Sequence, residues 1–540
     1  MRITPQQHQI LQLLKQLGSP KLSELRTNPE NPYNSTEEAL IDALNRLRTK
    51  GLVTKKRRGY YQATDLGKEV ASTPYEEVHT KLRQLTIRTK IDQVTHTTLE
   101  VKLRLQIEQV LTSCLASNGN MRPEGHNLLD ELKFISSKRQ MYAGQLEEAV
   151  ERRDELEKIG LRDLILYAQR YAGYSCTLDI YPYAEVLLTL AAIPAVNSVR
   201  IETPDKTIRS RINIANAGDQ NSGKSFVTRN LLCGSADPKI APCGIPFIRD
   251  GIEDVTGPSF IFRSYVEEHS GYNFIYLNDE YTKWLRLSPE LKTLQKRIFE
   301  GEKIRWALKS GISVPDYRFK GCFIVNFNVN YDRSKGILSF DSDIRAILSR
   351  LILRAYVYDD KVHEYYQNRK LKVDEKDTQN IRLLLCLLYE VTSRRPRLNG
   401  YPKPSIIWPS EAYERVKSIS TEYVNFLKEV GNLHTLRLNF GTRQIDNAIK
   451  IGSNLTILDY FAQVEALRNG GKDEPKEEVF LTPPEEAVQL AMNYLLDELI
   501  VRQPRPCILQ TSPQNEAVDF GGLFKKLRRL KVKRWSELSS

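Results

Sequence analysis

The amino-acid sequence predicts an α/β protein with several domains. Residues 212–217 (INIANA) alternate apolar and small polar side chains as a buried strand does, and FVTRNLL at 226–232 is typical of a helix. Two further apolar runs, at 274–277 and 321–328, have the length of strands. Amphipathic helical patterns occupy the start of the chain and the stretch that begins at residue 145. With 540 residues the chain is too long for one core, and we expect about three or four domains.

The first part of the chain has the pattern of three helices followed by a hairpin. Residues 5–17 begin with a proline, which the first helical turn tolerates, and place their apolar side chains on one face. KLSEL at 21–25 fits a short second helix. A third helix is predicted to begin at a capping box of Ser35 and Glu38 and to end before Gly51. Two short extended segments with a basic turn between them follow.

This order of elements resembles a winged helix-turn-helix, which implies that residues 1–74 bind DNA. In that fold the third helix enters a major groove and the wing touches phosphates. The expected contacts are Arg46, Arg48, Lys50, Lys55, Lys56, Arg57 and Arg58. The alternative is a winged helix that binds protein, with its basic residues facing solvent.

Residues 75–165 give two conflicting patterns. Strict alternation of apolar residues from Leu99 to Ile107 suggests a strand. The segment from residue 145, QLEEAVERRDELEKIGLRDLILYAQRY, is charged and has a helical pattern. We expect a mostly helical collar or linker here.

The sequence GDQNSGKS at 218–225 lies between the predicted strand and the predicted helix. It fits the pattern GxxxxGK[ST], in which two glycines let successive backbone N–H groups face phosphate, the lysine reaches the outer phosphates and the hydroxyl binds Mg²⁺. A strand before it and a helix after it are the context that this motif needs. The candidate nucleotide-binding residues are Gly218, Asp219, Gln220, Asn221, Ser222, Gly223, Lys224 and Ser225. The alternative is a glycine turn with no ligand.

Polar residues follow the two later apolar runs. Asp279 and Glu280 follow the run at 274–277 after one residue; one carboxylate can hold Mg²⁺ and the other can polarise an attacking water. Asn326 ends the apolar part of GCFIVNFN, where an amide can orient that water, and Asn328 is its rival. We therefore expect ATP and Mg²⁺ as cofactors.

Taken in order, these segments resemble the minichromosome-maintenance (MCM) replicative helicases, which belong to the AAA+ ATPases. The likeness is carried by IRSRINIANAGDQNSGKS, DEYTKW, EGEKIRWALKSGI, VNF and ILSRLILRAYVYDD, and more weakly by IYPYAEVLLTLAA at 180–192 and NFGTRQIDNAIKIGSNLT at 439–456. It covers about residues 165 to 500. The resemblance implies a P-loop AAA+ core with a helical lid.

The resemblance also implies roles for single residues. Lys224 and Ser225 would contact phosphate and Mg²⁺, with Asp279 on Mg²⁺, Glu280 as the base and Asn326 as the sensor. Arg350 would be an arginine finger and Arg443 a second sensor, both offered to the nucleotide of a neighbouring subunit. Arg345 and Arg354 flank Arg350 on the same segment, so either of them is an alternative arginine finger.

Lys309 in ALKSGI matches the lysine at the tip of the family's DNA-contacting hairpin. Together with Arg305 and Trp306 it is expected to grip a phosphate backbone in the central channel of a ring; the alternative is a solvated charge. The basic stretch GGLFKKLRRLKVKRW at 521–535 is a further candidate for nucleic acid, an anionic membrane or the lid.

The sequence also departs from the family. Pro182 replaces a glycine, Leu187 a lysine and Phe327 a proline, and Leu351–Ile352 stand where the family has Phe-Asp. The cysteine-rich zinc element and the N-terminal barrel of the family are not recognisable. Such a chain looks like the MCM-like proteins of mobile elements, plasmids or viruses.

Composition narrows the classes of function. The chain has 79 Lys and Arg against 67 Asp and Glu, a formal net charge of +12 that suits a polyanionic partner. Its seven cysteines are widely spread without metal-ligand spacing, so we expect reduced core residues and no zinc. No apolar stretch approaches the ~20 residues that cross a bilayer, so we expect no membrane partner and a cytoplasmic, nucleoid-associated location in a prokaryotic cell.

The predicted organisation has five parts. They are a winged helix-turn-helix at 1–74, a helical collar at 75–165, an AAA+ core at 166–365, a helical lid at 366–500 and a basic tail at 501–540. The expected function is an ATP-dependent helicase that assembles as a hexameric ring and acts on single-stranded DNA and forked duplexes in replication. Two alternatives stay open: a DNA-bound initiator or regulator that assembles without unwinding, and a protein remodeller.

Overall fold

The computed structural model describes most of the chain between residues 3 and 501. The described residues are 3–33, 36–57, 59–79, 81–82, 87, 101–114, 121–171, 184–218, 224–234, 243–252, 255, 257–281, 284, 289–307, 313–328, 331–332, 337–338, 347, 350–356, 373–393, 401–429, 442–469 and 477–501. The chain divides into two compact units, one of Met1–Ser136 with Trp306–Pro315 and the other of Ser137–Arg305 with Asp316–Ser540. The predicted basic tail lies outside the described residues.

The first unit begins with three helices and a two-stranded hairpin, in the predicted order. They are α1 (Pro5–Leu17), α2 (Leu22–Thr27), α3 (Glu37–Thr49), β1 (Val53–Arg57) and β2 (Tyr60–Ala63), after which α4 (Asp65–Ala71) follows. The hairpin is antiparallel, with Val53 opposite Ala63. The core of this part of the first unit is built from the apolar faces predicted for α1 and α3, including Ile10, Leu14 and Leu44.

The N-terminal cap of α3 differs from the prediction by one residue. Thr36, and not Ser35, is the cap: its side chain accepts from the Ala39 backbone N–H at 3.4 Å. Ser35 itself lies outside the described residues. The predicted end is correct, since α3 stops at Thr49 and Gly51 has a φ of +71°, a conformation that favours glycine.

The alternation that suggested a strand near residue 100 belongs to a helix, α5 (Val101–Ser113). Ile107, Val110, Leu111 and Cys114 are buried, which is helical spacing. This apolar stripe overrides the shorter period-two pattern. The later charged segment is helical as predicted, with α6 (Pro123–Glu151), α7 (Arg153–Leu156) and α8 (Leu161–Tyr171).

The second unit continues with alternating helices and strands. In chain order these are α9 (Ala184–Ala195), β3 (Arg200–Glu202), β4 (Thr207–Arg209), β5 (Ile214–Gly218), α10 (Lys224–Cys233), β6 (Ile248–Arg249), α11 (Gly257–His269), β7 (Ile275–Asn278), α12 (Pro289–Glu300), β8 (Lys303–Ala307), β9 (Ser313–Arg318), β10 (Cys322–Asn328), β11 (Tyr331–Asp332), β12 (Ile337–Leu338), β13 (Ile352–Tyr356), α13 (Glu375–Thr392), β14 (Lys403–Ile407), α14 (Ser410–Glu429), α15 (Thr442–Leu458), α16 (Tyr460–Asn469), β15 (Glu478–Leu481) and α17 (Glu485–Val501). The three runs predicted as strands form β5, β7 and β10.

The centre of this unit is a parallel five-stranded sheet in the order β13–β5–β10–β7–β6. Both neighbours of β5 are parallel to it: Ile324 of β10 and Ile352 of β13 each pair with Ile214. Parallel strands need crossover connections, and helices such as α10 and α11 lie between them in the chain. The fold is therefore α/β, as the sequence predicts.

A second sheet of this unit has the order β15–β14–β3–β4. Its strands β14 and β15 come from the segment 366–500, which was expected to be a helical lid. Besides its helices, this segment contains two short strands, KPSII and EVFL. Ile406 of β14 and Leu481 of β15 are buried, whereas Phe480 of β15 is 49% exposed.

Aromatic packing holds β7 and β10 together. Phe323 of β10 stacks on Tyr276 of β7, with ring centroids 5.2 Å apart, and Phe260 of α11 contacts both rings. Burying a phenylalanine side chain stabilises a fold by about 1.5–3 kcal/mol. Gly321 precedes β10 where a Cβ atom would lie 2.4 Å from the Tyr276 ring, so only glycine fits.

Across the described ranges, no helix combines the length and the apolar character needed to span a membrane.

Candidate functional site

The motif at 218–225 joins β5 to α10. Gly218 is the last residue of β5 and Lys224 is the first residue of α10, so the chain has the predicted strand, loop and helix. Lys224 is 6% exposed and Ser225 is half-buried. The loop between Gly218 and Lys224 lies outside the described residues; it consists of Asp219, Gln220, Asn221, Ser222 and Gly223. A helix that begins directly after such a loop offers its N-terminal N–H groups to an anion.

A row of four polar side chains crosses the sheet near its carboxyl edge. Asn216 of β5 pairs in register with Arg354 on one side and with Asn326 on the other. Val325 pairs with Asn278, so Asn326 is level with Asp279, the residue after β7. We call Arg354, Asn216, Asn326 and Asp279 the polar row.

Hydrogen bonds run along the whole polar row. Arg354 Nε donates to Asn216 Oδ1 at 2.8 Å, and Asn216 Nδ2 donates to Asn326 Oδ1 at 2.8 Å. Asn326 Nδ2 in turn donates to Asp279 Oδ1 at 2.6 Å. Since Asn216 is fully buried and Asn326 is 5% exposed, these bonds are made in a low-dielectric environment that fixes each amide's orientation.

The other oxygen of Asp279 faces an arginine. Arg229 of α10 places Nη1 3.1 Å from Asp279 Oδ2, and its Nε and Nη2 donate to Asp250 Oδ2 at 3.1 and 2.8 Å. Asp250 follows β6 directly. The carboxylate of Asp279 is thus held on both oxygens, with Asn326 on one side and Arg229 on the other.

Glu280 is the next residue and is exposed. Its backbone N–H donates to Asn278 Oδ1 at 3.0 Å, which fixes the turn that separates the two acidic side chains. One carboxylate is therefore held within the hydrogen-bonded row while its neighbour projects into solvent, where it can reach water. This difference suits two separate roles.

The surroundings of Asp279 disfavour its ionised form. Burial raises the pKa of Asp279, and the nearby Asp250 and Glu280 raise it further, against the lowering effect of Arg229 and Asn326. The carboxylate of Asp279 and the hydroxyl of Ser225 carry oxygen atoms of the kind that Mg²⁺ prefers as ligands.

Sequence reasoning missed Asn216, Arg229 and Asp250. Asn216 carries a local signal, since a polar residue inside a buried strand needs a partner. Arg229 and Asp250 carry none, because only the folded sheet places α10 against the end of β6. Arg354, considered as an alternative finger, is 9% exposed and bonded within its own sheet, so it does not project towards another subunit. Arg345 and the side chain of Asn328 lie outside the described residues.

The predicted arginine finger, Arg350, and the predicted second sensor, Arg443, lie close to each other because both contact the carboxylate of Glu300. Arg350 Nη2 is 2.6 Å and Nε 2.8 Å from Glu300 Oε1, and Arg443 Nη2 is 3.0 Å from the same oxygen. The side chain of Arg350 is 17% exposed and that of Arg443 47% exposed. Both arginines belong to the second unit but come from segments far apart in the chain.

This pair lies at the opposite edge of the sheet from Lys224 and Asp279. Arg350 precedes Ile352, where β13 begins, whereas Tyr356 at the other end of β13 pairs with Gly218. Five strand residues at about 3.3 Å each span roughly 13 Å between the edges. Arg350 is therefore at the far end of the strand from Lys224 and Asp279 of its own chain.

The DNA-contacting candidates of the second hairpin are partly described. Arg305 of β8 is 85% exposed, with Nε 3.9 Å from Asp316 of β9. Lys309, at the predicted tip, lies outside the described residues. The hairpin form itself is as expected, because β8 and β9 form a two-stranded sheet.

The candidates of the first unit fall into two groups. On β1, Lys55, Lys56 and Arg57 are exposed, and Arg57 lies over the Tyr60 ring at 3.9 Å from its centroid. On α3, Arg46 pairs with Asp42 at 2.6 Å. Lys50 follows α3, and burial together with the charge of Arg46 lowers its pKa. Arg58 lies outside the described residues. Both groups therefore present exposed basic side chains, and of the described candidates only Lys50 is half-buried.

Comparison with known proteins adds no relative: no model of a known protein family matches the chain, and no curated protein matches it significantly. Within the part of the chain that the structure describes, no group of three or more His, Cys, Asp or Glu side chains could hold a metal ion.

Proposed function

We propose that the protein is an ATPase of the AAA+ class that assembles into a ring and translocates on DNA. The observation that carries the proposal is the carboxyl edge of the parallel sheet. There a GxxxxGKS loop connects β5 to α10. Asn326 of the next strand, β10, is hydrogen-bonded to Asp279, which directly follows β7. Ligands of open α/β sheets bind at the carboxyl ends of the strands.

The proposed roles follow from the position and the chemistry of each side chain. The first turn of α10 and the amine of Lys224 would bind phosphate oxygens, because backbone N–H groups and a cation converge there. Ser225 and Asp279 would hold Mg²⁺, which supplies charge neutralisation on the transferring phosphoryl group.

Glu280 would act as the general base and Asn326 would orient water. Because Glu280 is exposed beside the polar row, solvent water can reach its carboxylate, as a general base requires. Asn326 accepts from Asn216 and donates to Asp279, so its amide orientation is fixed before any substrate arrives. Preorganised groups of this kind need no rearrangement during reaction.

Assembly into a ring is supported by the distance between the two edges of the sheet. Arg350 and Arg443 lie at the edge of the sheet away from Lys224. A nucleotide that contacts both these arginines and the loop after β5 would therefore lie between two chains. The DNA part of the proposal rests on the basic hairpin β1–β2, on Arg305 and on the net charge of +12. A hexamer is the expected ring.

The test is ATP hydrolysis and strand displacement on a forked duplex by the purified full chain. Lys224→Ala should abolish both, whereas Lys376→Ala, at a side chain that is 71% exposed, should change neither. Hydrolysis without displacement would favour an initiator or regulator over a motor. Unchanged hydrolysis by the Lys224 variant would refute the proposal.

A further inference from the structure

Two arginines meet on one carboxylate at the amino edge of the sheet. Arg350 precedes β13 and Arg443 lies in the first turn of α15, yet both place guanidinium nitrogens within 3.0 Å of Glu300 Oε1. Two guanidinium groups repel each other, and an anion that both contact offsets this repulsion. Glu300 is that anion in the isolated chain.

Glu300 is held firmly in place. It is the last residue of α12, and Arg211 binds the carbonyl oxygens that end this helix: Nη2 donates to Phe299 O at 2.7 Å and to Ile298 O at 3.1 Å. Nη1 of the same side chain donates to Phe319 O at 2.8 Å. Arg211 thereby ties the end of α12 to the segment before β10, so Glu300 does not lie on a loose chain end.

The contact geometry suits an anion other than a carboxylate. A guanidinium fork binds phosphate oxygens as it binds carboxylate oxygens, and arginine is favoured wherever such anions are recognised. All three side chains are partly exposed, Arg350 at 17%, Glu300 at 31% and Arg443 at 47%, so a ligand can approach from solvent.

We propose that Glu300 is an intramolecular competitor that occupies, on Arg350 and Arg443, the place of a phosphate. Resting on the function proposed above, the ligand is the terminal phosphate of a nucleotide bound to a second copy of this chain. Glu300 competes with that phosphate. In a single subunit Glu300 binds both arginines, and these contacts are replaced by contacts with phosphate when a neighbouring subunit has nucleotide bound.

The first test measures thermal unfolding with inorganic phosphate as the probe, against chloride at equal ionic strength. All proteins carry Lys224→Ala, so that the loop after β5 does not contribute. Glu300→Gln should lower Tm by a few degrees in chloride, because both guanidinium groups lose the carboxylate that they share, and phosphate should restore most of the loss. Glu302→Gln, two residues further on, is the matched control and should behave like its parent.

The outcomes separate cleanly. A phosphate effect that is absent, or equal with and without Glu300, overturns the proposal. Arg350→Gln combined with Arg443→Gln should remove the effect. If the Glu300→Gln protein does not fold, Glu300→Asp replaces it, since a shorter carboxylate should compete less well and give a smaller phosphate effect of the same sign.

The second test measures ATP hydrolysis in chains that keep Lys224. Glu300→Gln should lower the half-saturating ATP concentration severalfold, because the arginines no longer have to leave a carboxylate, while Glu302→Gln should not. An unchanged or raised value contradicts the competition. A wild-type chain without hydrolysis would remove the function proposed above, whereas the phosphate test depends on the arginine pair alone.

Discussion

Two carboxylates at opposite edges of one sheet have opposite electrostatic surroundings. Burial raises the pKa of Asp279, and Arg229 and Asn326 do not offset it. Burial also acts to raise the pKa of Glu300, but there the hydrogen bonds and charges of Arg350 and Arg443 prevail and lower it. The difference lies in the partners: two arginines share one oxygen of Glu300, whereas Asp279 faces one arginine and one neutral amide. A carboxylate therefore stays ionised more readily at the amino edge than at the carboxyl edge.

The largest expected effect comes from the amino edge. Arg350→Ala should lower ATP hydrolysis by ~10³ to 10⁵-fold, the range for arginines that stabilise charge on a transferring phosphoryl group. Arg297→Ala, an exposed arginine of the neighbouring helix, is the control. Mixing Arg350→Ala with Lys224→Ala subunits should restore part of the activity, because some interfaces then combine an intact loop with an intact arginine. Wild-type activity in the pure Arg350 variant would contradict a shared site.

At the carboxyl edge, Glu280→Gln should lower hydrolysis by about 10² to 10⁴-fold, the usual contribution of a general base. Because Glu280 is exposed and outside the polar row, its replacement should leave nucleotide affinity and Tm nearly unchanged. Titration with a fluorescent nucleotide and thermal unfolding check this separation. A variant that loses binding as well as hydrolysis would assign Glu280 a different role.

The polar row itself can be broken at Arg354. Arg354→Met fills a similar volume but leaves Asn216 Oδ1 without its charged donor, at a cost of about 1.5–3 kcal/mol in the free energy of unfolding. Denaturant unfolding measures the loss, with Arg318→Met, an exposed change on β9, for comparison. Equal stability of the two variants would show that the row does not stabilise the sheet.

The smallest effect is a pH dependence of opposite sign at the two edges. The folded pKa of Asp279 is raised, so its contribution to stability is present below its unfolded pKa and is lost as pH rises through the folded pKa. The folded pKa of Glu300 is lowered, so its contribution is present above its unfolded pKa and is lost as pH falls through the folded pKa.

Two variants make this difference measurable. As pH rises from acid to neutral, the Tm of Asp279→Asn should increase relative to wild type, and the Tm of Glu300→Gln should decrease relative to wild type. Thermal unfolding over that range checks both. Parallel trends in the two variants would refute the electrostatic distinction between the edges.

The sequence predicts this fold where a pattern is local. The strand before the motif, the helix at Lys224 and the polar residues after two apolar runs all follow from neighbouring residues, and the structure brings Asp279 and Asn326 into contact. The apolar residues spaced by two up to Ile107 suggest a strand, but residues 101–113 form a helix. Its buried side chains at Ile107, Val110, Leu111 and Cys114 have the helical spacing instead, and this longer-range pattern decides the local structure.

Long-range pairings could not be predicted in the same way. Arg229 meets Asp279, and Glu300 meets both Arg350 and Arg443, only because the strand order brings distant segments together. No local pattern distinguishes such residues from solvated surface charges. Family likeness suggested the two arginines but not the carboxylate between them.

The in-register pairing of Asn326 with Asn216 has a consequence for how this protein can go wrong. Side chains of a strand alternate between faces, so slipping β10 by one position would turn the amide of Asn326 away from Asp279 altogether. No gradual weakening of the contact lies between these two states. The same slip would turn Phe323 away from the Tyr276 ring. A chain that misregisters in the middle of the sheet would therefore lose packing and the site together, so folding of the sheet and formation of the site depend on one register.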